Sequence, residues 1–298
     1  MAAISLPSNS EPGMRYYQLL DFSREPFGNS PDPGLFYLSA QHHDCLQQLE
    51  LSIRLRRGLH VVIGEVGTGK TTICRRLIQT LDGGQDGKII VRLVFDPDFS
   101  SGREFLAVIV KSFGLRHDGL EELGERDLKE IFKNFLLEEN IRRGRNVLLV
   151  IDEGQKLPDF CLELLRELLN YETNEQKLVQ VLIFAQEEFR AQIRRHAYFR
   201  DRIASFAHLR PLRFRETRAL INFRVRQSHR RPEEAPELFT LPALWLIHRH
   251  TAGYPRRIIM LCSQLLLAFI VRQSGAGPDV PRKIGASLVL SCVRRVFH

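Results

Sequence analysis

A glycine-rich stretch between an apolar run and an amphipathic helix constrains the fold of this chain more than any other feature. Its sequence, GEVGTGKTT (residues 64–72), matches the phosphate-binding pattern G-x-x-x-x-G-K-[ST]. The apolar run before it, residues 59–63, predicts a buried parallel strand. Glycines let backbone N–H groups face phosphate oxygens, and the helix that begins at Lys70 directs its N-terminus to the same place. The stretch therefore predicts a site for nucleotide phosphates.

Each position of this loop has a predicted role in holding ATP and Mg²⁺. Lys70 supplies positive charge for the β- and γ-phosphates, and the Thr71 hydroxyl is a predicted Mg²⁺ ligand. A glycine-rich turn with a surface lysine is the alternative, which the flanking strand and helix disfavour. The predicted nucleotide-binding residues of the loop are Gly64, Glu65, Val66, Gly67, Thr68, Gly69, Lys70, Thr71 and Thr72.

A second apolar run, residues 146–151, ends in two adjacent acids, Asp152 and Glu153. A buried strand that ends in Asp-Glu is the Walker B arrangement. We expect Asp152 to face Mg²⁺ and Glu153 to act as the base that polarises the attacking water. The alternative is an ordinary acidic pair at the end of a strand, and the upstream phosphate loop makes it the weaker interpretation.

Strand patterns alternate with helical patterns from the phosphate loop to about residue 209. Further strands are predicted at residues 88–95, 178–185 and 206–209. This alternation predicts an α/β fold with a parallel, doubly wound sheet and nucleotide at the carboxyl ends of its strands. Gln186 follows one of these strands and would point toward the γ-phosphate, where it could orient water.

From Pro211 the sequence becomes helical and basic. Helices at residues 216–226, 241–250 and 256–272 predict a small helical lid, and a final helix is expected near Lys283. The predicted division of the chain is a disordered N-terminus (1–15), a nucleotide-binding domain (16–212), the lid (213–272) and a C-terminal tail (273–298).

The formal net charge of +8 hides an asymmetry between the two parts of the chain. Residues 1–189 carry 22 basic and 29 acidic side chains, whereas residues 190–298 carry 21 and 6. An acidic front and a basic back fit head-to-tail subunit contacts, or an anionic partner such as nucleic acid or a membrane surface. A solvated arginine-rich face is the alternative. The start of the predicted lid is crowded with Arg213, Arg215, Arg218, Arg224, Arg226, Arg230 and Arg231.

Five scattered cysteines without C-x-x-C spacing favour reduced thiols over disulfides or a zinc site. No N-terminal signal pattern is present, and the longest apolar run, residues 265–271, is shorter than the ~20 residues of a membrane span. We therefore expect a cytoplasmic protein. His42 and His43 lie in the first turn of a predicted helix, where a surface or nucleotide-edge role is favoured over metal binding.

Six motifs together resemble the AAA+ ATPases of the ExeA/GspA type. They are PF-x3-PDP-x2-FYLS (26–39), GEVGTGKTT (64–72), VIDEGQ (150–155), AQEEF (185–189), DRI with LRPL (201–212) and GYPRRI (253–258). Members of that family serve type II secretion, pilus and exopolysaccharide assembly in Gram-negative bacteria, and the module is similar to transposition ATPases. The resemblance covers residues 16–272.

The resemblance implies further site residues. Gln186 would be the sensor-1 residue, and Arg256 in the G-x-P-R turn would be sensor 2 and contact the nucleotide. Arg202 would be an arginine finger that acts on the nucleotide of a neighbouring subunit, a role that can be worth on the order of 10³ or more in rate. The catalytic residues predicted in all are Lys70, Glu153, Gln186, Arg202 and Arg256.

Two departures from the family pattern lie beside the predicted site. Gly154 stands where the family usually has alanine, and we expect this change to be harmless. Ala185 and Glu187 replace a Gly-Gln-Pro environment around Gln186. Larger members continue into a membrane span and a cell-wall-binding region.

These observations predict an ATP-hydrolysing AAA+ protein that forms nucleotide-dependent homo-oligomers. Its expected role is to drive or regulate assembly of a secretion or cell-envelope system, through a membrane-associated partner. The alternative is an ATP-dependent DNA-binding regulator of the transposition type, and nucleic acid is the less favoured partner. A nucleotide-gated scaffold with negligible turnover is a third hypothesis, which the intact Walker B pair disfavours.

Overall fold

A computed structural model of the protein describes residues 16–28, 32–82, 88–115, 119–274 and 283–296. The prediction of a disordered N-terminus, residues 1–15, lies outside these described residues. The chain forms two compact units. Residues 40–210 form one, which we call the nucleotide-binding unit, and the residues up to Ser39 join those from Pro211 onward in the helical unit.

The nucleotide-binding unit alternates strands with helices, as its hydrophobic patterns predict. A π-helical turn, Glu138–Arg142, follows the helix that ends at Leu137, and a 3₁₀ turn, Gly154–Lys156, follows the strand that ends at Ile151. The elements are α1 (Ala40–Arg54), β1 (Leu59–Gly64), α2 (Lys70–Asp82), β2 (Ile89–Val94), α3 (Gly102–Ser112), α4 (Glu125–Leu137), β3 (Asn146–Ile151), α5 (Asp159–Leu169), β4 (Gln180–Ala185), α6 (Glu188–Arg195), α7 (Ala197–Arg200) and β5 (Ile203–Leu209).

The five strands form one parallel sheet in the order β2-β3-β4-β1-β5. The chain leaves β1 in one direction to reach β2, and the later connections run in the opposite direction. Because crossover connections between parallel strands are right-handed, this reversal places helices on both faces of the sheet. The prediction of a parallel, doubly wound sheet is confirmed.

The main core lies on one face of this sheet. Alternate residues of β1, Leu59, Val61 and Ile63, are buried in a cluster with apolar side chains of α3, α4 and α5. This period of two is the spacing at which side chains of a strand point to the same face. Three strands, β1, β3 and β4, are buried along their whole length, as expected for the inner strands of a sheet covered on both faces.

The turn that follows α4 is not a regular α-helical turn. The α-helix ends at Leu137 and continues as the π-helical turn. Within this turn Asn140 is buried, and its side-chain amide donates to the carbonyls of Leu136 (2.9 Å) and Leu178 (2.7 Å). A side chain that bonds backbone carbonyls competes with the regular helical pattern, which explains the wider turn.

The helical unit contains α8 (Phe214–Ser228), α9 (Leu241–Thr251), α10 (Pro255–Ser274) and α11 (Ala286–Val296). The first three are helices where helices were predicted, and their role as a lid stays a prediction. Helix α11 lies in the segment assigned to the C-terminal tail, where a helix was expected to begin near Lys283. Among the described residues, no helix is both long and apolar enough to cross a membrane.

The N-terminal segment, residues 16–39, was assigned to the nucleotide-binding domain but belongs to the helical unit. Its aromatic residues Tyr17, Phe22 and Phe27 are buried in the core of that unit. Its backbone also pairs with the end of α8: Ser23 donates to the carbonyl of Ser228 at 2.8 Å, and Arg230 donates to that of Asp21 at 3.0 Å. Aromatic burial and backbone pairing therefore fix the segment here.

Gly253, in the GYPRRI motif, joins α9 to α10 in a left-handed conformation with φ +77°. A Cβ atom at this position would lie 2.1 Å from the carbonyl oxygen of Leu212, so only glycine fits without a shift of the backbone. The Gly253 carbonyl also accepts a hydrogen bond of 2.8 Å from the Leu212 amide. The glycine therefore lets the backbone at Leu212 lie against the turn that begins α10.

Candidate functional site

The phosphate loop follows β1 and has the backbone shape that its glycines allow. Gly67 and Gly69 are left-handed, with φ of +85° and +104°. A Cβ at Gly64 would lie 2.7 Å from Thr68 Oγ1 and 2.9 Å from the carbonyl oxygen of Leu209. Side chains are therefore excluded where the backbone must curl, as a phosphate cradle requires.

Lys70, the first residue of α2, is buried, and its ammonium lies inside the curl of the loop. It donates hydrogen bonds to the carbonyls of Gly64 (2.7 Å) and Glu65 (3.1 Å). Burial lowers the pKa of Lys70 below its ordinary value, although nearby carboxylates, Glu153 and Asp152 foremost, act in the opposite direction. The loop thus holds a desolvated cation beside a group of acids.

His42 supports the loop from α1. Its imidazole is buried, and Nε2 donates to the carbonyl of Thr68 at 2.9 Å. The sequence left His42 with a surface or nucleotide-edge role, and the structure shows instead a buried contact to the loop backbone. His43 is exposed. The sequence could not indicate this contact, because the contact depends on how α1 packs beside the loop.

Thr71 and Asp152 come together although they are 81 residues apart. The Thr71 hydroxyl donates to Asp152 Oδ2 at 3.4 Å, and the Glu153 amide donates to Asp152 Oδ1 at 3.0 Å. Burial raises the pKa of Asp152, and the two hydrogen bonds and Lys70 only partly offset this effect. The predicted pair of Mg²⁺ ligands is therefore assembled from the start of α2 and the end of β3.

Glu153 and Gln186 also meet, at the carboxyl ends of β3 and β4. Gln186 Nε2 donates to Glu153 Oε2 at 3.1 Å. Gln155 completes the group: its Nε2 donates to the same carboxylate oxygen, and its Oε1 accepts from the Gln186 backbone amide at 3.0 Å. The sequence placed Gln155 in the VIDEGQ motif without a role, and its position two residues after the base was the signal that could have found it.

Gly154 is required by this packing, and the expectation that glycine is harmless in place of alanine stays a prediction. Gly154 is buried, and a Cβ atom there would lie 2.2 Å from Ile183 Cγ2 and 3.4 Å from Ala185 Cβ. An alanine would force the turn after Glu153 away from β4. The glycine therefore lets the base and the end of β4 approach each other.

Two further acids follow Gln186, and sequence patterns gave them no role. Glu187 contacts the His208 ring on β5 and forms an ion pair with Arg190 at 3.2 Å. Glu187 and Glu188 both act electrostatically on Lys70. Lys70 thus lies near four carboxylates, a density of negative charge that a divalent cation would relieve.

Arg202 and Arg256 lie elsewhere in the chain. Arg202 is exposed and directly precedes β5, at the amino end of an edge strand, whereas the phosphate loop lies at the carboxyl ends of the strands. Arg256 is exposed in the first turn of α10, in the helical unit. Their predicted roles as finger and sensor 2 stay predictions.

The residues present fit ATP and Mg²⁺. The side-chain-free curl at Gly64, the buried ammonium of Lys70 and the N-terminus of α2 suit phosphate oxygens. Thr71 and Asp152 offer two oxygen ligands of the kind that Mg²⁺ takes beside phosphates and water.

Comparisons with known proteins agree with this geometry. The family model described as AAA domain matches residues 53–193. The chain is 33% identical over 261 residues to General secretion pathway protein A of Aeromonas hydrophila. These two matches support the resemblance to AAA+ ATPases of the ExeA/GspA type. The alignment covers 87% of this chain and 46% of that relative, so the chain spans about half of the relative's length.

Solved structures show the same fold at low sequence identity. The Aeropyrum pernix ORC2 protein, in its ADPNP-ADP complexes, matches with a TM-score of 0.65 at 17% identity, covering 92% of this chain and 72% of that one. Drosophila ORC bound to DNA matches with a TM-score of 0.66 at 14% identity, covering 100% and 71%. Together with the AAA-domain match, they confirm the predicted P-loop fold of AAA+ type.

The raised pKa of Asp152 predicts that its ionised form destabilises the protein without ligand. The folded state binds the proton more tightly than the unfolded chain, so this cost is present above the folded pKa and disappears as the pH falls toward about 4, the unfolded value. At neutral pH, without Mg²⁺ or nucleotide, we expect Asp152→Asn to raise the melting temperature by about 2–4 °C.

Circular dichroism melts of both proteins across this pH range measure the difference, which we expect to shrink toward the acidic end. Added Mg²⁺ and nucleotide are expected to stabilise the wild type and leave Asp152→Asn nearly unchanged. A lower melting temperature for Asp152→Asn at neutral pH would show that the ionised carboxylate stabilises the fold.

Proposed function

We propose that this AAA-domain protein hydrolyses ATP and, as an oligomer, drives or regulates assembly of a secretion or cell-envelope system. The observation that supports hydrolysis is the meeting of Thr71, Asp152 and Glu153 beside the phosphate loop. A protein that only bound nucleotide would need the lysine and the loop, but not a second acid placed next to the metal ligand.

The residues divide the chemistry between them. Lys70 and the loop amides hold the phosphates, and Thr71 with Asp152 would hold Mg²⁺. Mg²⁺, when bound, neutralises charge on the phosphates. Glu153 accepts the proton of the attacking water, and Gln186, hydrogen bonded to the same carboxylate, orients that water. Both groups stand at the edge of the sheet where the phosphate loop begins.

This division predicts different losses in two variants. Lys70→Ala removes the buried cation and is expected to abolish ATP binding. Glu153→Gln keeps the phosphate and Mg²⁺ ligands and loses only the base, so ATP still binds while turnover falls by about 10²-fold or more. Calorimetric titration with ATP and a steady-state phosphate assay measure the two effects. An equal loss of ATP affinity in both variants would contradict the assignment.

The oligomeric part of the proposal rests on Arg202 and on the charge asymmetry. Arg202 is exposed at the amino end of the edge strand β5, where a neighbouring subunit could meet it. The residues from 190 onward carry 21 basic against 6 acidic side chains, and the front of the chain has an acidic excess. Opposite charges favour head-to-tail contacts between copies.

ATP, or an analogue that resists hydrolysis, is therefore expected to drive the protein into larger species. Arg202→Ala is expected to assemble but to hydrolyse ATP about 10³-fold more slowly, because the finger is lost. Arg200→Ala, two residues earlier and also exposed, is the matched control and keeps activity. Light scattering and the phosphate assay give the two measurements. Full activity in a dilute monomer would exclude a finger supplied in trans.

The cellular role is proposed from the relative that is called General secretion pathway protein A. A cytoplasmic location with a membrane-associated partner fits that role and the predicted reduced cysteines. All five cysteines are free, and four of them are buried.

One observation favours the second candidate, an ATP-dependent DNA-binding regulator. Arg215, Arg218 and Arg226 lie along one face of α8, are exposed and make no ion pair with another described residue. They extend over about 16 Å of helix. Arg224 does not join them, because it is buried against the N-terminal segment and donates to the Gly28 carbonyl at 3.4 Å. Burial lowers the pKa of Arg224 to about 10.

We expect this face to bind duplex DNA only loosely and without accelerating ATP hydrolysis. Each phosphate contact would contribute about −0.9 to the slope of log affinity against log salt, so three arginines give about −3. Replacing all three with alanine removes this slope, whereas the same replacement at the exposed residues Arg142, Arg194 and Arg200 does not. Binding titrations at several salt concentrations and ATPase rates with duplex provide the test. Tight, ATP-dependent binding with strong stimulation would favour the DNA-binding regulator.

A further inference from the structure

Gln155 uses both ends of its side-chain amide at the candidate site. Its Nε2 donates to Glu153 Oε2 at 2.5 Å, and its Oε1 accepts from the backbone amide of Gln186 at 3.0 Å. The Gln186 side chain donates to the same Glu153 oxygen at 3.1 Å. Three hydrogen bonds therefore close a ring between the end of β3 and the end of β4.

The backbone is shaped to make this ring. Glu153 has φ 56° and ψ 38°, a left-handed conformation that is uncommon for residues other than glycine. The 3₁₀ turn that follows is held by hydrogen bonds from the amides of Lys156 and Leu157 to the carbonyls of Glu153 and Gly154. Since Gly154 has no side chain, the turn rests directly on Ile183 of β4. This places the Gln155 side chain within hydrogen-bond distance of the Gln186 backbone amide.

The ring directs Glu153 toward the phosphate loop. Strand β4 lies between β3 and β1 in the sheet, so its end separates the base from the loop that follows β1. A Glu153 side chain bonded to Gln186 is drawn across this gap. In agreement, Glu153 has the largest electrostatic effect on the Lys70 ammonium among the nearby carboxylates.

We propose that Gln155 is a positioning residue that holds the Glu153 carboxylate toward the phosphates. The proposal rests on the function proposed above, in which Glu153 is the base for ATP hydrolysis. A glutamine suits this role because one side chain must donate to a carboxylate and accept from a backbone amide. Without the donor, Glu153 keeps only Gln186, and without the acceptor, the end of β4 loses its tie to the turn.

The first test replaces Gln155 with methionine, which has a similar length and no amide. We expect kcat to fall by about tenfold or more, because losing a hydrogen bond to a charged group has an effect of this size on a rate. The affinity for a non-hydrolysable ATP analogue changes by less than about twofold, because Gln155 does not belong to the phosphate loop. Gln79→Met, at an exposed glutamine of α2, is the matched control and leaves both values unchanged.

The second readout needs no nucleotide. The Gln186 amide donates to Gln155 Oε1, so its hydrogen exchange is expected to be faster in Gln155→Met than in the wild type. Exchange at the amides of β1 is expected to stay the same, which would show that the sheet remains folded. Unchanged exchange at Gln186 would overturn the proposed ring.

Gln155→Glu separates positioning from general damage to the fold. It keeps an acceptor for the Gln186 amide but places a second carboxylate beside Glu153, and two adjacent carboxylates disfavour holding two charges. The acidic limb of the pH–rate profile is therefore expected to move to higher pH in this variant, an effect that a merely structural residue would not produce.

The outcomes distinguish this inference from the proposed function. A wild-type protein that binds ATP without hydrolysing it would contradict the proposed function itself. A wild type that hydrolyses ATP, together with full activity in Gln155→Met and an unshifted pH profile in Gln155→Glu, would overturn the role of Gln155 alone.

Discussion

The parallel pairing of β4 with β1 and β3 is the constraint on which the site depends. The register sets Ile63 beside Ala185 and Ile151 beside Ile183. Because parallel strands end at the same edge, residues that follow three strands far apart in sequence become neighbours. A shift of one residue in either pairing would turn alternate side chains to the other face and separate the hydrogen-bonded groups beyond the strand ends.

Buried polar groups at the amino ends of the strands specify this register. The Ile53 carbonyl accepts from Asn146 (2.9 Å) and Gln180 (2.8 Å), and Gln180 also donates to Asn146 Oδ1 at 2.8 Å. His60 lies 3.3 Å from Gln180, and burial lowers the pKa of His60 to about 4, so it is neutral near pH 7. Apolar strands could slip with little loss of burial, whereas these amides would lose their partners and incur the cost of burial without hydrogen bonds.

The sequence predicted the parts of the site that local pattern determines. Apolar runs identified all five strands, and the spacing of Gly64, Lys70 and Thr71 identified the loop, since these features depend on neighbours in the chain. It did not predict the roles of His42 and Gln155, because these depend on which side chain packs beside which backbone. Gly154 shows the limit most directly: one methyl group is excluded by Ile183, 29 positions further along the chain. The N-terminal segment was likewise misplaced because its aromatic residues find their core near α8.

The same electrostatics that suit the site to ATP and Mg²⁺ oppose its burial in their absence. Burial disfavours the charged forms of both Lys70 and Asp152, as the opposite directions of their pKa shifts show. Glu153, Glu187 and Glu188 add negative charge around one ammonium. Hydrogen bonds from Thr71, Gln155 and Gln186 compensate part of this cost. A ligand that brings phosphates for Lys70 and a cation for Asp152 satisfies both groups together, so its binding would stabilise the fold as well as complete the site.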